Sequence, residues 1–427
     1  MISLIHTKNT AIIFFSQEAT MKTNKDLYKE QLQYALIALP VGILVGCVDA
    51  LFGRVLLWIG DFRSLHLFYL LPLLPVAGLF IQFLYWKFSK ESLKGMTLIF
   101  QTGHGETNQI PLLLVPLVIL STWITHLFGG SAGREGVAVQ LGGALAYTLG
   151  SKFKRLNQPR MFLVIGMAAG FAGLFQTPIA ATFFAMEVLI SGVILYEALF
   201  PSLVAAFAAS FTAHLCGLEK FQIAIPLFRT TSFISILKIL LCCLIFGLVG
   251  GLFAYLLKSA KSFLAKKINS SFLRIAFVGV LLSILLLTLH IGRYSGLGTN
   301  LISMGFSSQT IHSYDWILKL LLTILTLAAG FQGGEVTPLF AIGTALGVTL
   351  AGYLGLPIML VAALGYVAVF ASATNTLFAP IIIGIEIFGG ENAFWFIIAC
   401  CTAYVFNGCQ TIYPNQKRHR IFHHSNS

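Results

Sequence analysis

The chain has 427 residues, 57% of them hydrophobic and 10% charged, with a mean hydropathy of +0.87 and a formal charge of +12. That balance excludes a soluble domain and specifies a polytopic membrane protein whose charges are confined to the ends of its apolar runs. Apolar stretches lie near 33–60, 64–86, 111–128, 137–150, 161–175, 178–216, 233–257, 275–292, 316–330, 339–371, 377–389 and 393–408, separated by Gly, Pro or short polar turns. Several are shorter than the roughly 20 residues a spanning helix needs, which predicts an all-α membrane protein with broken or half-crossing helices among its full spans.

Residues 1–32 read as an N-terminal cytoplasmic segment. Its apolar run, Ala11–Phe15, is too short for a secretory signal, and Met21 is an alternative start. The first hydrophobic segment carries Asp49 and Arg54, expected to pair near a membrane edge. Lys87–Lys94 then leads into Gly95, Met96 and a polar patch, Gln101–Gln109, read as a turn or half-helix.

Basic clusters (Lys87, Lys90 and Lys94; Lys152, Lys154, Arg155 and Arg160; Lys258, Lys261, Lys266, Lys267 and Arg274; Lys417, Arg418 and Arg420) sit beside apolar ends. They follow the positive-inside pattern rather than marking nucleic-acid binding, which puts both termini and a 258–274 loop on the cytoplasmic side. The seven cysteines, mostly within apolar runs, have no metal-ligand spacing and read as small core residues. No metal or other cofactor is expected.

Gly129–Ala146, GGSAGREGVAVQLGGALA, places Arg134 and Glu135 among glycines inside an apolar region. Each charge at bilayer depth costs about 2.5–3.5 kcal/mol, so the pair needs a reason. The glycines disfavour a helix interior whereas Val137–Leu149 favours one, so a helix should begin near Glu135. A helix start at that depth leaves unpaired N–H groups and a partial positive charge, which together bind anions.

Gly129–Gly133 also fits Gly-x-Ser-x-Gly, with Ser131 as a nucleophile and His290 as a base, the pattern of an intramembrane serine protease. In a chain with 40 glycines that pattern is weak, and it explains no other feature.

The segments Gly330–Gly347, GFQGGEVTPLFAIGTALG, and Val369–Glu386 repeat features of the first half. Gly133, Glu135 and Gly143 recur 200 residues later at Gly333, Glu335 and Gly343. Phe171 and Glu187 recur 199 later at Phe370 and Glu386, and Pro178 recurs 202 later at Pro380. So steady an offset predicts two homologous halves, 33–218 and 233–413, joined by a linker, 219–232, and followed by a basic tail, 414–427. Inverted halves of this kind converge broken-helix N-termini near the midplane.

Gly133-Arg134-Glu135-Gly136, the Gly-Gly-x-x-x-Pro element at Gly333–Pro338 and Tyr413 near the end resemble the CLC family of chloride channels and anion/proton antiporters, over about residues 33–413. Where chloride-type members carry a serine element, this chain reads Lys94-Gly95-Met96-Thr97. Where they carry an apolar pair, it has Glu335 and Val336, then Thr337. These departures resemble the fluoride/proton antiporter branch.

The resemblance implies one anion pathway per subunit of a homodimer, exchanging fluoride for protons, with a chloride/proton antiporter or a passive anion channel as alternatives. It casts Glu135 as gate and proton carrier and Glu335 as a second proton-linked group. The remaining anion-binding positions are Met96, Gly133, Arg134, Gly136, Val336, Thr337 and Tyr413. Read from the residues alone, Glu135 and Glu335 are also possible helix caps, Met96 a packing residue and Tyr413 an interfacial belt residue. Glu187 precedes Val188, where chloride/proton members often have a second glutamate, so Glu187 and Glu386 read as structural. A chain of this length suits a bacterial inner membrane.

Overall fold

The computed structural model describes residues 24–418 except 154, 155, 157, 231 and 308, with side chains from Leu27 onward. Ala11–Phe15, Met21, Lys154, Arg155 and Arg420 lie outside the described residues. The first half runs α1 (Asn24–Leu65), α2 (Leu67–Leu70), α3 (Leu74–Phe88), α4 (Met96–Gly103), α5 (Leu114–Leu127), α6 (Glu135–Gly150), α7 (Pro159–Phe175), α8 (Pro178–Glu187) and α9 (Leu199–Leu215). The second runs α10 (Phe233–Lys267), α11 (Ser271–Thr288), α12 (Thr299–Gly305), α13 (Asp315–Ala329), α14 (Val336–Leu354), α15 (Ile358–Thr374), α16 (Phe378–Phe388) and α17 (Ala393–Val405). Among the described residues, six helical stretches are long and apolar enough to cross a bilayer, and shorter apolar helices such as α7 and α15 lie between them.

Helices apolar all round end up inside: α7 and α15 are buried along nearly their whole length. Their packing against α6 and α14 depends on glycine. A Cβ added to Gly142 or Gly166 would strike the other helix's backbone, and the same holds for Gly343 and Gly365. Backbones that approach so closely replace side-chain interdigitation with direct van der Waals contact, a common solution in lipid. On the outside, α1, α10 and α11 expose large apolar side chains such as Trp58, Leu248 and Phe277.

The 200-residue offset reappears in the backbone. Gly129 (φ +87°) after α5 matches Gly330 (φ +111°) after α13, and left-handed Gln176 (φ 57°) after α7 matches Asn375 (φ 56°) after α15. Helix α8 opens on Pro178, whereas α16 opens at Phe378 with Pro380 its third residue, so the proline match is two residues out of step.

The paired glutamates at the ends of α8 and α16 clasp the halves together. Glu187 accepts from the backbone N–H groups of Leu377, Phe378 and Ala379 at 2.8–3.1 Å, and Glu386 accepts from Ile179 and Ala180 at 3.3 and 2.9 Å. Each carboxyl therefore satisfies the orphan donors of the other half's helix start, the structural role expected for both residues.

Several expectations are corrected. Asp49 and Arg54 do not pair: Asp49 is fully buried with no hydrogen-bond partner on either oxygen, and Arg54 donates to the Cys216 carbonyl. Five residues apart on one helix, they face directions about 140° apart. The 258–274 region is no loop, because α10 continues to Lys267 and α11 starts at Ser271. Two short parallel strands, Ile190–Ser191 and Lys417–Arg418, interrupt the all-helical pattern and dock the start of the basic tail onto the first half.

Removing a cross-half clasp should destabilise the protein without touching the anion path. Glu187→Ala, which strips three charge-assisted bonds, should cost about 1.5–3 kcal/mol. Glu386→Ala, losing two bonds at a more open site, should cost less. Thermal unfolding midpoints in detergent give the ranking, and equal midpoints for both variants and wild type would refute the clasp.

Candidate anion site

Helix α6 starts at Glu135 because four residues before it are glycine, small or extended, while those after it are apolar helix formers. Helix α14 starts at Val336 for the same reason, after Gly333 and Gly334. The two loops pair directly: Gly133 N–H donates to the Gly334 carbonyl at 2.5 Å, and Gly334 N–H donates back to the Gly133 carbonyl at 2.7 Å. Only glycine allows this approach, since a Cβ on Gly133 would lie 2.8 Å from the Pro338 ring and 2.9 Å from the Gly334 oxygen.

Across that bridge the two glutamates exchange places. Glu135 is 1% exposed, and its Oε2 accepts from Thr337 N–H at 3.0 Å, from the Thr337 hydroxyl, and from Arg134 N–H at 3.4 Å. The first half's carboxylate thus sits on the N-terminus of the second half's helix, where backbone donors and the helix dipole favour a negative charge. Conversely, a Cβ on Gly136, in the first turn of α6, would lie 3.6 Å from Glu335 Oε2. A methyl there would rest in van der Waals contact with the second carboxylate.

Arg134 and Glu135 form a loose pair, with Nε 3.6 Å from Oε1. Arg134 Nε and Nη1 and Glu135 Oε1 are buried without hydrogen-bond partners. Glu135 is therefore held by Thr337 and the α14 start, not by Arg134, and it is not simply a cap on its own helix.

Glu335 precedes α14 and faces a cavity of about 390 Å³. The cavity is lined by Lys94, Met96, Gln140, Lys261, Glu335 and Tyr413, among others, and not by Glu135, Val336 or Thr337. Lys261 Nζ stands 3.9 Å from Glu335 Oε1, beyond hydrogen-bond reach. Met96 opens α4 and packs on the core while lining the cavity. Val336 is buried. Tyr413 is 3% exposed and stacks on Phe100 at 5.1 Å, so it is not a belt residue; the charges of Glu135 and Glu335 both act on it.

The structure thus gathers Gly133, Arg134, Glu135, Gly136, Val336 and Thr337 at the two helix starts, and Met96, Glu335 and Tyr413 along the adjoining cavity. Sequence reasoning missed three neighbours. Lys261 read only as a topology signal. Gln140, a lone polar residue on an apolar helix, has a buried, unpartnered Oε1 facing the cavity. Tyr366 stacks on Phe340 at 4.0 Å within reach of the Arg134 and Glu135 charges, and looks in sequence like any core aromatic.

The segment before Glu135 is anchored from behind. Lys319, fully buried, donates to Ser131 Oγ at 2.9 Å, the Tyr294 carbonyl at 3.1 Å and the Gly296 carbonyl at 2.7 Å. His290 bonds the Tyr314 hydroxyl instead of Ser131, so the Gly-x-Ser-x-Gly serine has no histidine base.

The chain is similar to known anion channels and antiporters. The sequence model of the voltage-gated chloride channel family matches residues 77–408. A chloride/fluoride channel protein of Pseudomonas syringae pv. tomato is 37% identical over 406 residues, covering 93% of this chain and 89% of that protein. A solved CLC-type fluoride/proton antiporter superposes with a TM-score of 0.90 at 50% identity, covering 93% of this chain and all of that one. A slow cyanobacterial chloride/proton antiporter shares the fold, with a TM-score of 0.78 at 20% identity over 88% of this chain and 94% of that one.

Gly133→Ala should force the two loops apart. Overpacking of this kind costs about 1–3 kcal/mol, and because it displaces both helix starts it should also abolish anion binding. Calorimetric anion titration beside a thermal melt would show both effects; a variant that melts lower yet binds normally would separate the bridge from the site.

Proposed function

The chain belongs to the voltage-gated chloride channel (CLC) family, and on that premise we propose that it is a fluoride/proton antiporter, expelling cytoplasmic fluoride as protons run inward. The observation that carries this reading is the crossed placement of the two carboxylates, Glu135 on the α14 start and Glu335 against the α6 start beside the cavity. The 50% identity to a fluoride/proton antiporter over nearly the whole chain supports fluoride as the anion.

Glu135 is the gate. Ionised, it occupies the donors of Thr337 that an anion would use, so carboxylate and anion exclude each other. Protonated, it loses the charge that holds it on the helix start and can swing away, leaving those donors to the anion. Protonation of Glu135 and occupation of the helix start by an anion are thus coupled at one place. Arg134, with two buried nitrogens unpartnered, offers the incoming anion a positive charge.

Glu335 handles the anion on the cavity side. When ionised it repels a neighbouring anion, and when protonated its hydroxyl can donate to one. Fluoride gains most among halides from short, strong donors of this kind, and the hydroxyls of Thr337 and Tyr413 add to them. Gly133 and Gly136 keep the approach open, while Met96 and Val336 line it with apolar surface. Lys261, Lys94 and Arg274 give the cavity the positive charge that collects anions.

In this reading the residues 33–218 and 233–413 act as two inverted repeats of one subunit of a homodimer. The subunit lies in a bacterial inner membrane with both termini cytoplasmic. Its ligands are protons and fluoride, with chloride the alternative anion, the lipid bilayer is its solvent, and it catalyses no covalent step.

Liposomes loaded with fluoride or chloride, followed by external halide and pH electrodes together, test the proposal. Fluoride efflux accompanied by proton uptake, with little chloride movement, is expected. Comparable chloride flux would make it a chloride/proton antiporter, and anion flux without protons a passive channel. Glu135→Gln should abolish proton movement, and Glu335→Ala should lower fluoride turnover by tenfold or more, an effect of about 1.4 kcal/mol on the barrier. Unchanged flux and selectivity in the second variant would remove Glu335 from the mechanism.

A further inference from the structure

His126, in the last turn of α5, is 1% exposed and plays no part in the exchange described above. Its ring lies between two carbonyl oxygens. Nδ1 is 2.8 Å from the Thr122 oxygen, one turn back on its own helix, and Nε2 is 3.0 Å from the Ala132 oxygen, three residues before Glu135. Both partners accept only, whereas a neutral imidazole carries one N–H and one bare nitrogen. A neutral ring therefore satisfies one carbonyl and turns a lone pair on the other. Only a ring with a second proton holds both.

The other bonds around Ala132 are fixed by backbone and by Lys319. Ala132 N–H donates to the Gly296 carbonyl at 3.2 Å, Gly296 N–H donates to the Gly130 carbonyl at 3.1 Å, and Lys319 binds Ser131 and Gly296. The His126 contact is the one anchor of the gate segment with a donor that comes and goes with a proton.

We propose that His126 is a proton-dependent positioning residue for the gate: its Nε2 proton holds the Ala132 carbonyl and so sets where Glu135 stands relative to Thr337. The proposal rests on the reading of Glu135 as the gate. The charged groups that act on the ring are Arg63 of α1, whose Nη1 donates to the His126 carbonyl at 2.7 Å, and Lys319 of α13. On the remaining elements packed against α5, Asp49 and Arg54 of α1, Tyr85 and Lys87 of α3, Glu91 and Lys94 of the following turn and Glu135 of α6 make no bond to the ring. Neither Arg63 nor Lys319 bonds the ring itself, and the carbonyl that the ring holds lies three residues before Glu135, which ties the anchor to the exchange cycle.

Two measurements test this. In protein labelled with ¹⁵N-histidine and reconstituted in lipid, the ring signals absent from a His126→Gln spectrum belong to His126 among the ten histidines. They should show Nδ1 protonated throughout, with Nε2 protonated as well over part of the transport pH range. A ring that stays neutral throughout that range, with its proton on either nitrogen, would overturn the proposal, whatever the fate of the gate assignment.

The second measurement is fluoride flux against pH in liposomes. His126→Gln, whose amide donates at every pH, should retain flux and lose the component of the wild-type pH profile that follows the ring's second proton. His126→Phe, matching the volume but donating nothing, should fall by about tenfold, as expected for one lost positioning hydrogen bond. A wild-type pH profile in the Gln variant, or wild-type flux in a Phe variant that elutes and melts like wild type, would equally overturn it.

Discussion

Everything at the site depends on one pair of backbone hydrogen bonds, between Gly133 and Gly334. A helix start buried in a membrane protein is costly unless something supplies its missing partners. Two such starts brought together solve the problem jointly, because the carboxylate that follows one bridge residue reaches the donors that follow the other. The bridge is short because both residues lack side chains, and a longer one would leave Glu135 beyond reach of Thr337.

The same logic works a second time with a different outcome. At α8 and α16 the cross-half carboxylates of Glu187 and Glu386 take two or three backbone donors each and no other group competes for the place. Those pairs close the structure. At α6 and α14 the bonds to Glu135 all fall on one oxygen, and Glu335 lines a cavity, the arrangement on which the proposed exchange rests. A twofold repeat therefore uses one device, a carboxylate on the opposite helix start, once for fastening and once for exchange.

Much of this was legible in the sequence. The interrupted apolar runs, the 200-residue offset and the glycine-flanked Glu135 and Glu335 depend on local chemistry, and each leads to the helix start the structure contains. Contacts between distant segments were not legible. That Glu135 reaches Thr337, 202 residues on, and that Glu335 lies against Gly136 follow from how the halves are placed, which no spacing reveals. The expected Asp49–Arg54 pairing failed on helical geometry that was available in advance. Lys319 was overlooked although a lone lysine within an apolar stretch is itself a signal, since an unpartnered charge there would be expelled.

The way each carboxyl is held separates structural from functional acids more sharply than burial does. Glu187 and Glu135 are almost equally buried, at 6% and 1%. Yet both Glu187 oxygens are bonded to rigid backbone, while Glu135 bonds through a single oxygen and leaves Oε1 without a partner. Glu335 goes further, with Lys261 too distant to hydrogen-bond it. A carboxylate bonded through both oxygens to rigid backbone is fixed in place. One bonded through a single oxygen, as Glu135 is, or standing at an open cavity beside a tyrosine, as Glu335 does, is held less firmly. Exchange needs an acid that can leave its place when an anion arrives, and in the proposed mechanism the two acids at the bridged helix starts take that part.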